Sequence, residues 1–502
     1  MDRNSGIMFK KILVANRGEI ALRIMKTLRE MDISTVSVHS DADINAAHRL
    51  FSDQSVYIGK SAPKESYLNM AAIIKAAKET GAEAIHPGYG FLSENADFAA
   101  LCEKKKIVFI GPPAHVIKNL GDKTIARQIM IKSNVPVTPG MSEPETDISS
   151  LMKKAEELGY PVLIKAAAGG GGKGMRIVFK ETDMKDACEA AEREASQAFG
   201  NGSIYLEKYL LKPRHVEIQI LADTHGHVIH LLERECSIQR RYQKIIEESP
   251  SSALSDELRQ AMGKAAVSAA KAAGYVNAGT VEFLLDMNNQ FYFLEVNTRL
   301  QVEHPVTEMI TGIDLVKHQI RIAAGEKLTL SQKDISAKGH AIECRIYGED
   351  PENAFFPSPG KILFMKEPKG PGIRNDCGIY SGYTVPVEYD PILSKLVVHA
   401  ENRELAIQRM IQALKDYVIL GIKTPIPFLI DIMNSDAFKK GDTTTDFIDT
   451  HFPAWKPDKK DTALAYIAFI ADELSKTVTQ NPQSVKNSDF PTPWETIGFY
   501  RP

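Results

Sequence analysis

Two acidic residues lie on opposite sides of a predicted turn within residues 279–303. Runs rich in β-branched and aromatic residues flank Asn288 and Asn289, which indicates a β-hairpin. Glu282 and Glu295 are equidistant from this turn, so the hairpin should place them directly opposite each other. Cross-strand Cβ atoms are roughly 5 Å apart, and like charges at that distance repel. Two facing carboxylates need a shared proton or a divalent cation, so the pair predicts a metal site.

Polar residues continue at every second position after this pair. They are Glu295, Asn297, Arg299, Gln301 and Glu303. In an extended chain a period of two puts all of them on one face. A water-facing amphipathic strand is the ordinary explanation of such a pattern. Acids, an amide and an arginine are poor strand formers at this density, so we interpret the face as a site for a metal ion and an anion.

Length and composition indicate a globular protein with several domains. The chain has 502 residues, which predicts about two to four domains. It is 43% hydrophobic, and its net charge of -3 gives no reason to expect a nucleic-acid or membrane partner. No apolar run in the sequence is long enough to span a membrane. The five cysteines are scattered without metal-ligand spacing, which is typical of reduced thiols in a cytoplasmic protein.

Residues 9–120 predict a parallel, doubly wound sheet, because short β-branched strands alternate with helical patterns. The first strand–helix turn holds a single glycine, Gly18, where a dinucleotide fold needs G-x-G-x-x-G. We therefore expect a Rossmann-like domain without a nucleotide in the usual crevice, and we expect Asp41 and Asp43 to be turn and cap residues. The loop 86–95 follows a strand end, and its Pro-Gly-Tyr-Gly turn is either structural or functional.

A glycine-rich loop follows the predicted strand 162–165, which ends in Lys165. Its consecutive glycines are Gly169, Gly170, Gly171 and Gly172. Their backbone N–H groups can surround phosphate oxygens, with Lys165 and Lys173 supplying positive charge. Gly174 stands where a Walker A loop needs Ser or Thr. A flexible linker is the alternative, but apolar runs on both sides favour a phosphate-binding lid.

The remaining chain contains a cationic segment, and after it the composition and the predicted secondary structure change. Residues 237–244 carry three cations, which predicts either a solvated face or local pairing with Glu247 and Glu248. Short strands with many Gly and Pro residues begin near residue 337 and indicate a third, mainly β domain. Beyond residue 453 the chain is polar, with one amphipathic helical pattern near residues 463–474.

These motifs, in this order, resemble those of the biotin carboxylases of the ATP-grasp superfamily. The resemblance covers about residues 9–452. It rests on the strings Val-Ala-Asn-Arg-Gly-Glu-Ile-Ala from Val14, His-Pro-Gly-Tyr-Gly-Phe-Leu-Ser-Glu-Asn from His86, the four glycines, Arg-His-Val-Glu from Arg214, Cys-Ser-Ile-Gln-Arg-Arg from Cys236, and Glu-Val-Asn-Thr-Arg-Leu-Gln-Val-Glu-His-Pro-Val-Thr-Glu from Glu295.

The resemblance implies an α/β and α+β fold in several parts. These are an extension over 1–8, a Rossmann-like N-terminal domain over 9–120, an ATP-grasp central domain over 121–335 with a mobile glycine-rich lid at about 137–210, a mainly β C-terminal domain over 336–453, and a tail or linker over 454–502. The implied reaction is ATP-dependent carboxylation of a biotinyl group by bicarbonate through carboxyphosphate, with Mg²⁺ or Mn²⁺. Biotin would be a carried substrate.

The resemblance also assigns roles to individual residues. The implied ATP ligands are Lys123, Lys165, Gly169, Gly170, Gly171, Gly172 and His215 at the phosphates, Glu207, Lys208 and Leu210 at the adenine, and Gln239 near the ribose, with Glu282 and Glu295 beside the nucleotide. The implied metal ligands are Glu282, Glu295 and Asn297. The implied bicarbonate and biotin residues are Lys244, Arg299, Gln301, the Val302 backbone, Glu303 as the base, and Arg345 at the biotin enolate.

One residue departs from the family pattern. Tyr242 stands where the family often has histidine; because tyrosine cannot carry a positive charge, we exclude it from the nucleotide contacts. Cys236 and Glu94 lie in family motifs and are expected to support the site without contacting substrate. No Ala-Met-Lys-Met string occurs, so we expect biotin on a separate carrier protein or domain. The tail ending near residue 499 resembles the spacer that precedes carrier domains in fused carboxylases.

The resemblance further implies a homodimer, a carboxyltransferase partner and a cytoplasmic location, without nucleic-acid or membrane partners. Two alternatives stay open at this point. One is another ATP-grasp ligase with an acyl-phosphate intermediate, such as a carbamoyl-phosphate-forming enzyme; the run 299–303 and Arg345 favour biotin. The other is a non-catalytic nucleotide-binding scaffold, which would have no need of Glu282, Glu295 and Glu303 together.

Overall fold

In a computed structural model of the chain, which describes residues 8–141, 143–166, 175–199, 202–457 and 470–471, five parallel strands form the first sheet, in the order β3-β2-β1-β4-β5. Its elements are β1 (Lys11–Val14), α1 (Gly18–Glu30), β2 (Ser34–Ser40), α2 (Ala47–Phe51), β3 (Gln54–Gly59), α3 (Met70–Thr80), β4 (Ala84–His86), α4 (Ala96–Lys104), β5 (Val108–Phe109) and α5 (Ala114–Gly121). Ile12 and Val14 pack with α1, whereas Leu13 packs with α3 and α4. Both faces are covered, which confirms the Rossmann-like prediction.

The predicted role of the two aspartates after β2 is only partly correct. Asp41 and Asp43 begin and end a short 3-10 helix. Asp43 is fully buried and accepts two hydrogen bonds of 2.7 Å from Arg17, as well as one from Tyr67. Asp43 therefore holds the first strand–helix turn through an ion pair with Arg17. The predicted role as a turn or cap residue did not include this contact.

A smaller sheet, in the order β7-β6-β8, follows in the chain. Its elements are α6 (Lys123–Lys132), α7 (Ile148–Leu158), β6 (Val162–Ala166), β7 (Arg176–Val178), α8 (Met184–Phe199) and β8 (Ile204–Lys208). β6 and β7 are antiparallel, as expected for strands on either side of a lid loop. The predicted phosphate loop, Gly169 to Gly172, lies outside the described residues.

The largest sheet has eight antiparallel strands in the order β13-β12-β9-β10-β11-β14-β21-β19. Its elements and their connections are β9 (Arg214–Ala222), β10 (Val228–Arg240), β11 (Gln243–Ser249), α9 (Asp256–Ala273), β12 (Asn277–Leu285), β13 (Phe291–Asn297), α10 (His304–Thr311), α11 (Leu315–Ala323), β14 (His340–Tyr347), β19 (Ile373–Cys377) and β21 (Ile392–Ala400). Because β11 pairs with β14, one sheet runs across the expected domain boundary near residue 335.

The remaining C-terminal elements are short strands and helices around one apolar core. They are β15 (Glu349–Asp350), β16 (Phe356–Pro357), β17 (Gly360–Lys361), β18 (Phe364–Lys366), β20 (Thr384–Val385), α12 (Arg403–Asp416), β22 (Val418–Leu420), α13 (Ile426–Asn434), α14 (Asp436–Lys440) and α15 (Phe447–His451). Met1–Trp455 forms one unit and Lys456–Pro502 another. The expected tail helix lies outside the described residues except for Ile470 and Ala471. In the described part of the chain, no helix has the length and apolarity needed to cross a membrane.

Candidate active site

The hairpin of β12 and β13 places Glu282 opposite Glu295, which confirms the predicted pairing. The reason is less simple than symmetry about the turn. The pairs nearest the turn centre it on Asn288, and that centre alone would set Glu282 opposite Leu294. A register shift between Glu282 and Phe283 leaves Leu294 bulged and brings Glu295 into place.

Glu282 and Glu295 belong to a row of charged residues that crosses four neighbouring strands. Arg234 on β10 pairs with Glu217 on β9, Glu217 with Glu282 on β12, and Glu282 with Glu295 on β13. Arg234 is fully buried, whereas Glu295 is on the edge strand and is exposed where it lines a cavity. Three adjacent carboxylates repel one another, so the row needs more positive charge than Arg234 supplies.

Lys244 on β11 supplies that charge. Its ammonium donates hydrogen bonds to Glu217 Oε2 at 2.6 Å, Glu282 Oε1 at 2.8 Å and Glu303 Oε1 at 2.7 Å. Burial alone would lower the pKa of Lys244, but the three carboxylates hold it well above its usual value. The predicted alternative of local pairing with Glu247 and Glu248 is wrong, because Lys244 reaches acids on other elements.

The expectation that the facing carboxylates need a shared proton or a metal is corrected for Glu282. Besides Lys244, His215 Nε2 lies 3.0 Å from Glu282 Oε2. Burial would raise the pKa of Glu282, but Lys244 and His215 outweigh it, so the pKa is lowered. Glu295 is open to the cavity, yet desolvation by the surrounding protein and the charge of Glu282 raise its pKa. Compensation is unequal: Lys244 bonds to Glu282, whereas within the described residues no cation lies within ion-pair distance of Glu295.

Glu303 does not share a strand with Glu295, so the prediction of one extended face is wrong. β13 ends at Asn297, residues 298–302 are irregular, and Glu303 is the N-cap of α10. Glu303 is fully buried and accepts hydrogen bonds from Lys244 and, at 2.9 Å, from Arg345 Nη2. Burial would raise the pKa of Glu303, but these two cations and Arg234 hold it well below its usual value.

The irregular segment 298–302 still brings its side chains together. Arg299 donates to Asn297 Oδ1 at 2.9 Å and to Gln301 Oε1 at 2.8 Å, and the amides of Asn297 and Gln301 donate to Glu282 at 2.7 and 3.0 Å. Glu94, from the loop 86–95, accepts from Arg299 Nε at 2.8 Å and from the Thr298 N–H at 3.1 Å. That loop therefore positions Arg299, as the supporting role expected for Glu94 requires.

Arg345 projects from β14 toward the same acids. Its Nε donates to Glu247 Oε1 at 2.6 Å, and its Nη1 lies 3.4 Å from the Tyr347 hydroxyl. Burial and Glu303 raise the pKa of Glu247 to about 7, although Arg345 opposes this shift. Arg345 thus connects Glu303 to a second buried carboxyl that lies deeper in the sheet.

A cavity of about 1570 Å³ collects the expected site residues of the described chain. Those that line it are Lys123, Lys165, Glu207, Lys208, Leu210, His215, Gln239, Lys244, Glu282, Glu295, Asn297, Arg299, Gln301, Val302 and Arg345. Glu303 does not line the cavity but lies behind Lys244 and Arg345. Tyr242 lines the cavity at the tip of the β10–β11 hairpin, with 80% of its surface exposed.

The expected nucleotide residues of the described chain line the same cavity as the acids. Lys165 forms an ion pair with Glu207, which also lies 3.3 Å from Arg127. The Lys208 ammonium donates to the Gly159 carbonyl at 2.8 Å, and Lys208 also lines the cavity. Gln239 lies 2.9 Å from His215 Nδ1 and orients that ring toward Glu282.

Sequence reasoning missed three residues of this site: Glu217, Arg234 and Glu247. Arg234 donates to Glu217, Gln219, Thr280 and Thr307. The available signal was charge within predicted strands. Glu217 lies in the Arg-His-Val-Glu string, and Arg234 stands between Glu233 and Glu235.

Three family models match the chain in order. They are "Biotin carboxylase, N-terminal domain" over residues 8–117, "Carbamoyl-phosphate synthase L chain, ATP binding domain" over 122–331, and "Biotin carboxylase C-terminal domain" over 343–450. Among curated relatives, biotin carboxylase 2 of Bacillus subtilis is 53% identical over 88% of this chain and 100% of its own length.

Two solved structures of biotin carboxylases are also similar to this chain. The biotin carboxylase domain dimer of Hydrogenobacter thermophilus 2-oxoglutarate carboxylase, in complex with MgADP, ADP and bicarbonate, matches with a TM-score of 0.85 and 48% identity, over 90% of this chain and 100% of that one. The crystal structure of the biotin carboxylase component of a pyruvate carboxylase matches with a TM-score of 0.80 and 48% identity, again over 90% of this chain and 100% of that one.

The fold and the acid-lined cavity define an ATP-binding ligase. The chain belongs to the biotin carboxylase family. This membership confirms the family and the fold class expected from the sequence, whereas the roles of individual residues stay predictions.

Proposed function

We propose that the protein catalyses ATP-dependent carboxylation of carrier-bound biotin by bicarbonate. The observation that carries the proposal is the burial of the Glu303 carboxylate between Lys244 and Arg345, directly behind the cavity that holds the Glu282–Glu295 pair. The proposed anion and metal sites thus share one cavity of about 1570 Å³, and the proposed base lies directly behind it. Family membership supports the same reaction.

In this proposal Arg299, Gln301 and the Val302 backbone bind bicarbonate, and Glu303 accepts its proton. An oxygen of the resulting carbonate attacks the γ-phosphorus of ATP, the bond to ADP breaks, and carboxyphosphate forms. Protonation of Glu303 removes the charge that occupies Lys244 and Arg345, so both cations become available to anions in the cavity. Carboxyphosphate then decomposes to CO₂ and phosphate, and the phosphate takes the proton from the biotin ureido nitrogen while Arg345 stabilises the enolate. The ureido nitrogen then attacks CO₂ to give carboxybiotin.

The residues present fit a divalent cation. Glu295 is exposed to the cavity, has no ion-pair partner among the described residues and faces a second carboxylate, and oxygen donors are the ligands that Mg²⁺ prefers. We propose that Glu282, Glu295 and Asn297 hold Mg²⁺ or Mn²⁺. When bound, the ion would neutralise phosphate charge during phosphoryl transfer. Lys123, Lys165 and His215 would bind the phosphates, and Glu207 and Leu210 the adenine.

Partners and location are further parts of the proposal. The domain dimer of the 2-oxoglutarate carboxylase relative supports a homodimer. Two relatives are the biotin carboxylase components of a pyruvate carboxylase and of a 2-oxoglutarate carboxylase, and from family membership we propose a biotin carrier protein or domain and a carboxyltransferase as partners. Because these two relatives serve different carboxylases, we assign the choice of acyl acceptor to the carboxyltransferase. All five cysteines are free, which supports the expected cytoplasmic location.

ADP release by the purified protein tests the proposal. With ATP, Mg²⁺ and bicarbonate, free biotin should stimulate ADP release, and ¹⁴C from bicarbonate should appear in carboxybiotin. Stimulation by ammonia in place of biotin would instead favour the carbamoyl-phosphate-forming alternative. ATP binding without any bicarbonate-dependent hydrolysis would favour the scaffold alternative.

A further inference from the structure

The backbone of Gln301 and Val302 is held by side chains that have no role in the proposed reaction. The Gln301 carbonyl lies 2.8 Å from His304 Nδ1, and the Val302 carbonyl accepts a hydrogen bond of 3.0 Å from Lys395 Nζ. Both side chains are fully buried. The carbonyl and the following N–H of a trans peptide point in opposite directions. Holding both carbonyls inside the protein therefore turns the N–H groups of Val302 and Glu303 away from them.

An N–H group turned in this way can bind an anion only if it faces the cavity. Val302 lines the cavity, beside Gln301 and Arg299. Within the described residues, the Val302 N–H has no hydrogen-bond partner in the protein. A backbone donor at the edge of an anion site is therefore available, and its orientation depends on the carbonyls at its back.

Lys395 is an unusual choice for a structural contact. It lies on β21, is completely buried and is 3.2 Å from Glu19 of α1 and 3.9 Å from Asp376 of β19. Glu19 in turn accepts a hydrogen bond from the Tyr89 hydroxyl in the loop 86–95. The ion pair with buried Glu19 accounts for part of this charge, since a methionine would leave Glu19 with one cation fewer. The same ammonium also gives the Val302 carbonyl a strong, charged donor.

We propose that Lys395 is a positioning residue of the bicarbonate site, which fixes the peptide planes around Val302 so that their N–H groups face the bound anion. The inference rests on the proposed function. It also gives the loop 86–95 a second link to the catalytic segment, through Tyr89 and Glu19, besides the contact of Glu94 with Arg299. Helix α1 and the loop thereby fix the backbone and the guanidinium of the same anion site.

The test is the kinetics of Lys395→Met in the full-length protein. Loss of a charged hydrogen bond to the Val302 carbonyl should raise KM for bicarbonate by about tenfold or more, while KM for ATP stays unchanged. The matched control is Arg403→Met. Arg403 likewise donates to a carboxylate, Glu248, and to a backbone carbonyl, that of Lys439, but it lies on α12, away from the cavity.

Several outcomes would overturn the inference. A folded Lys395→Met protein with an unchanged KM for bicarbonate would do so, as would an equal rise of both KM values, which is what a general structural defect produces. If Lys395→Met does not fold, Lys395→Gln keeps polarity with a shorter side chain and should show the same selective rise. Absence of biotin-stimulated turnover in the parent protein would refute the proposed function, independently of Lys395.

Discussion

Replacing Glu303 by glutamine should abolish turnover while the protein stays folded and continues to bind ATP. The parent carboxylate accepts hydrogen bonds of 2.7 Å from Lys244 and 2.9 Å from Arg345. Glutamine has nearly the same shape but cannot accept the bicarbonate proton. Its amide nitrogen must also face one of the two cations, where a donor meets a donor.

Two magnitudes decide which consequence dominates. Loss of a general base reduces rates by about 10²–10⁴-fold, which is roughly 3–5 kcal/mol in the activation barrier. Loss of one charge-assisted hydrogen bond costs about 1.5–3 kcal/mol of stability. The second cost is a fraction of typical folding stabilities of about 5–15 kcal/mol. The variant should therefore fold and be inactive.

The assay is biotin-stimulated, bicarbonate-dependent ADP release, with ATP affinity measured separately by calorimetry. ATP affinity should not change, because in the described part of the chain Glu303 is bonded to Lys244 and Arg345 and not to the proposed adenine or phosphate ligands. The control is Glu233→Gln: Glu233 is equally buried but is bonded to Arg259, away from the cavity. It should lose stability and keep turnover. A Glu303→Gln protein that retains turnover within about tenfold of the parent would refute the role of Glu303 as base.

Two further predictions concern buried charge. Burial raises the pKa of Glu247 from 4.5 to about 7, so its contribution to stability is complete below about pH 4.5 and is lost as pH rises through 7. Relative to the parent, the free energy of unfolding of Glu247→Gln should therefore rise by roughly 3 kcal/mol between pH 4 and pH 8. Urea unfolding measures this difference, and a difference that does not change with pH would contradict the prediction. Arg234→Met should lower stability by about 3–5 kcal/mol because Glu217 stays buried with one cation fewer; an unchanged thermal midpoint would argue against that accounting.

The pairing of Glu282 with Glu295 could be predicted because hairpin register is a local property. Equal distance from Asn288 and Asn289 gave the correct partners, yet for an incomplete reason. The turn is centred on Asn288 and the bulge at Leu294 restores the register. The same residues pair in two cases: when the turn is centred on one residue and a bulge follows, and when it is centred half a residue further on without a bulge. The sequence pattern alone does not distinguish these cases.

Charge compensation could not be predicted from local pattern. Lys244 and His215 reach Glu282 from β11 and β9, and the spacing of these residues along the chain carries no information about that meeting. Arg345 meets Glu303 from β14 for the same reason. Lys244, His215 and Arg345 could be identified from the family resemblance, because the roles known for a family reflect contacts in three dimensions that one sequence does not reveal. The resemblance did not name Glu247, whose contact is with another side chain.

The alternating polar residues were correctly grouped but wrongly explained. A strand from Glu295 to Glu303 would carry all five side chains on one face, whereas β13 stops at Asn297. The irregular segment after it converges on Glu282 through the Asn297 and Gln301 amides. Side chains that converge from a bent chain can surround a small anion, which a flat strand face cannot do. The departure from regular structure is therefore part of the site.

The row of charge across four strands explains why the metal should bind at its edge. Arg234 and Lys244 lie at Glu217, and Lys244 and His215 lie at Glu282, whereas no described cation lies within ion-pair distance of Glu295. An added cation gains most at the carboxylate that has no partner and loses least solvation where the group is already open to water. Glu295 meets both conditions because it lies on the edge strand and is open to the cavity. The acidic pair is consequently one compensated and one open carboxylate, and the open one lines the cavity.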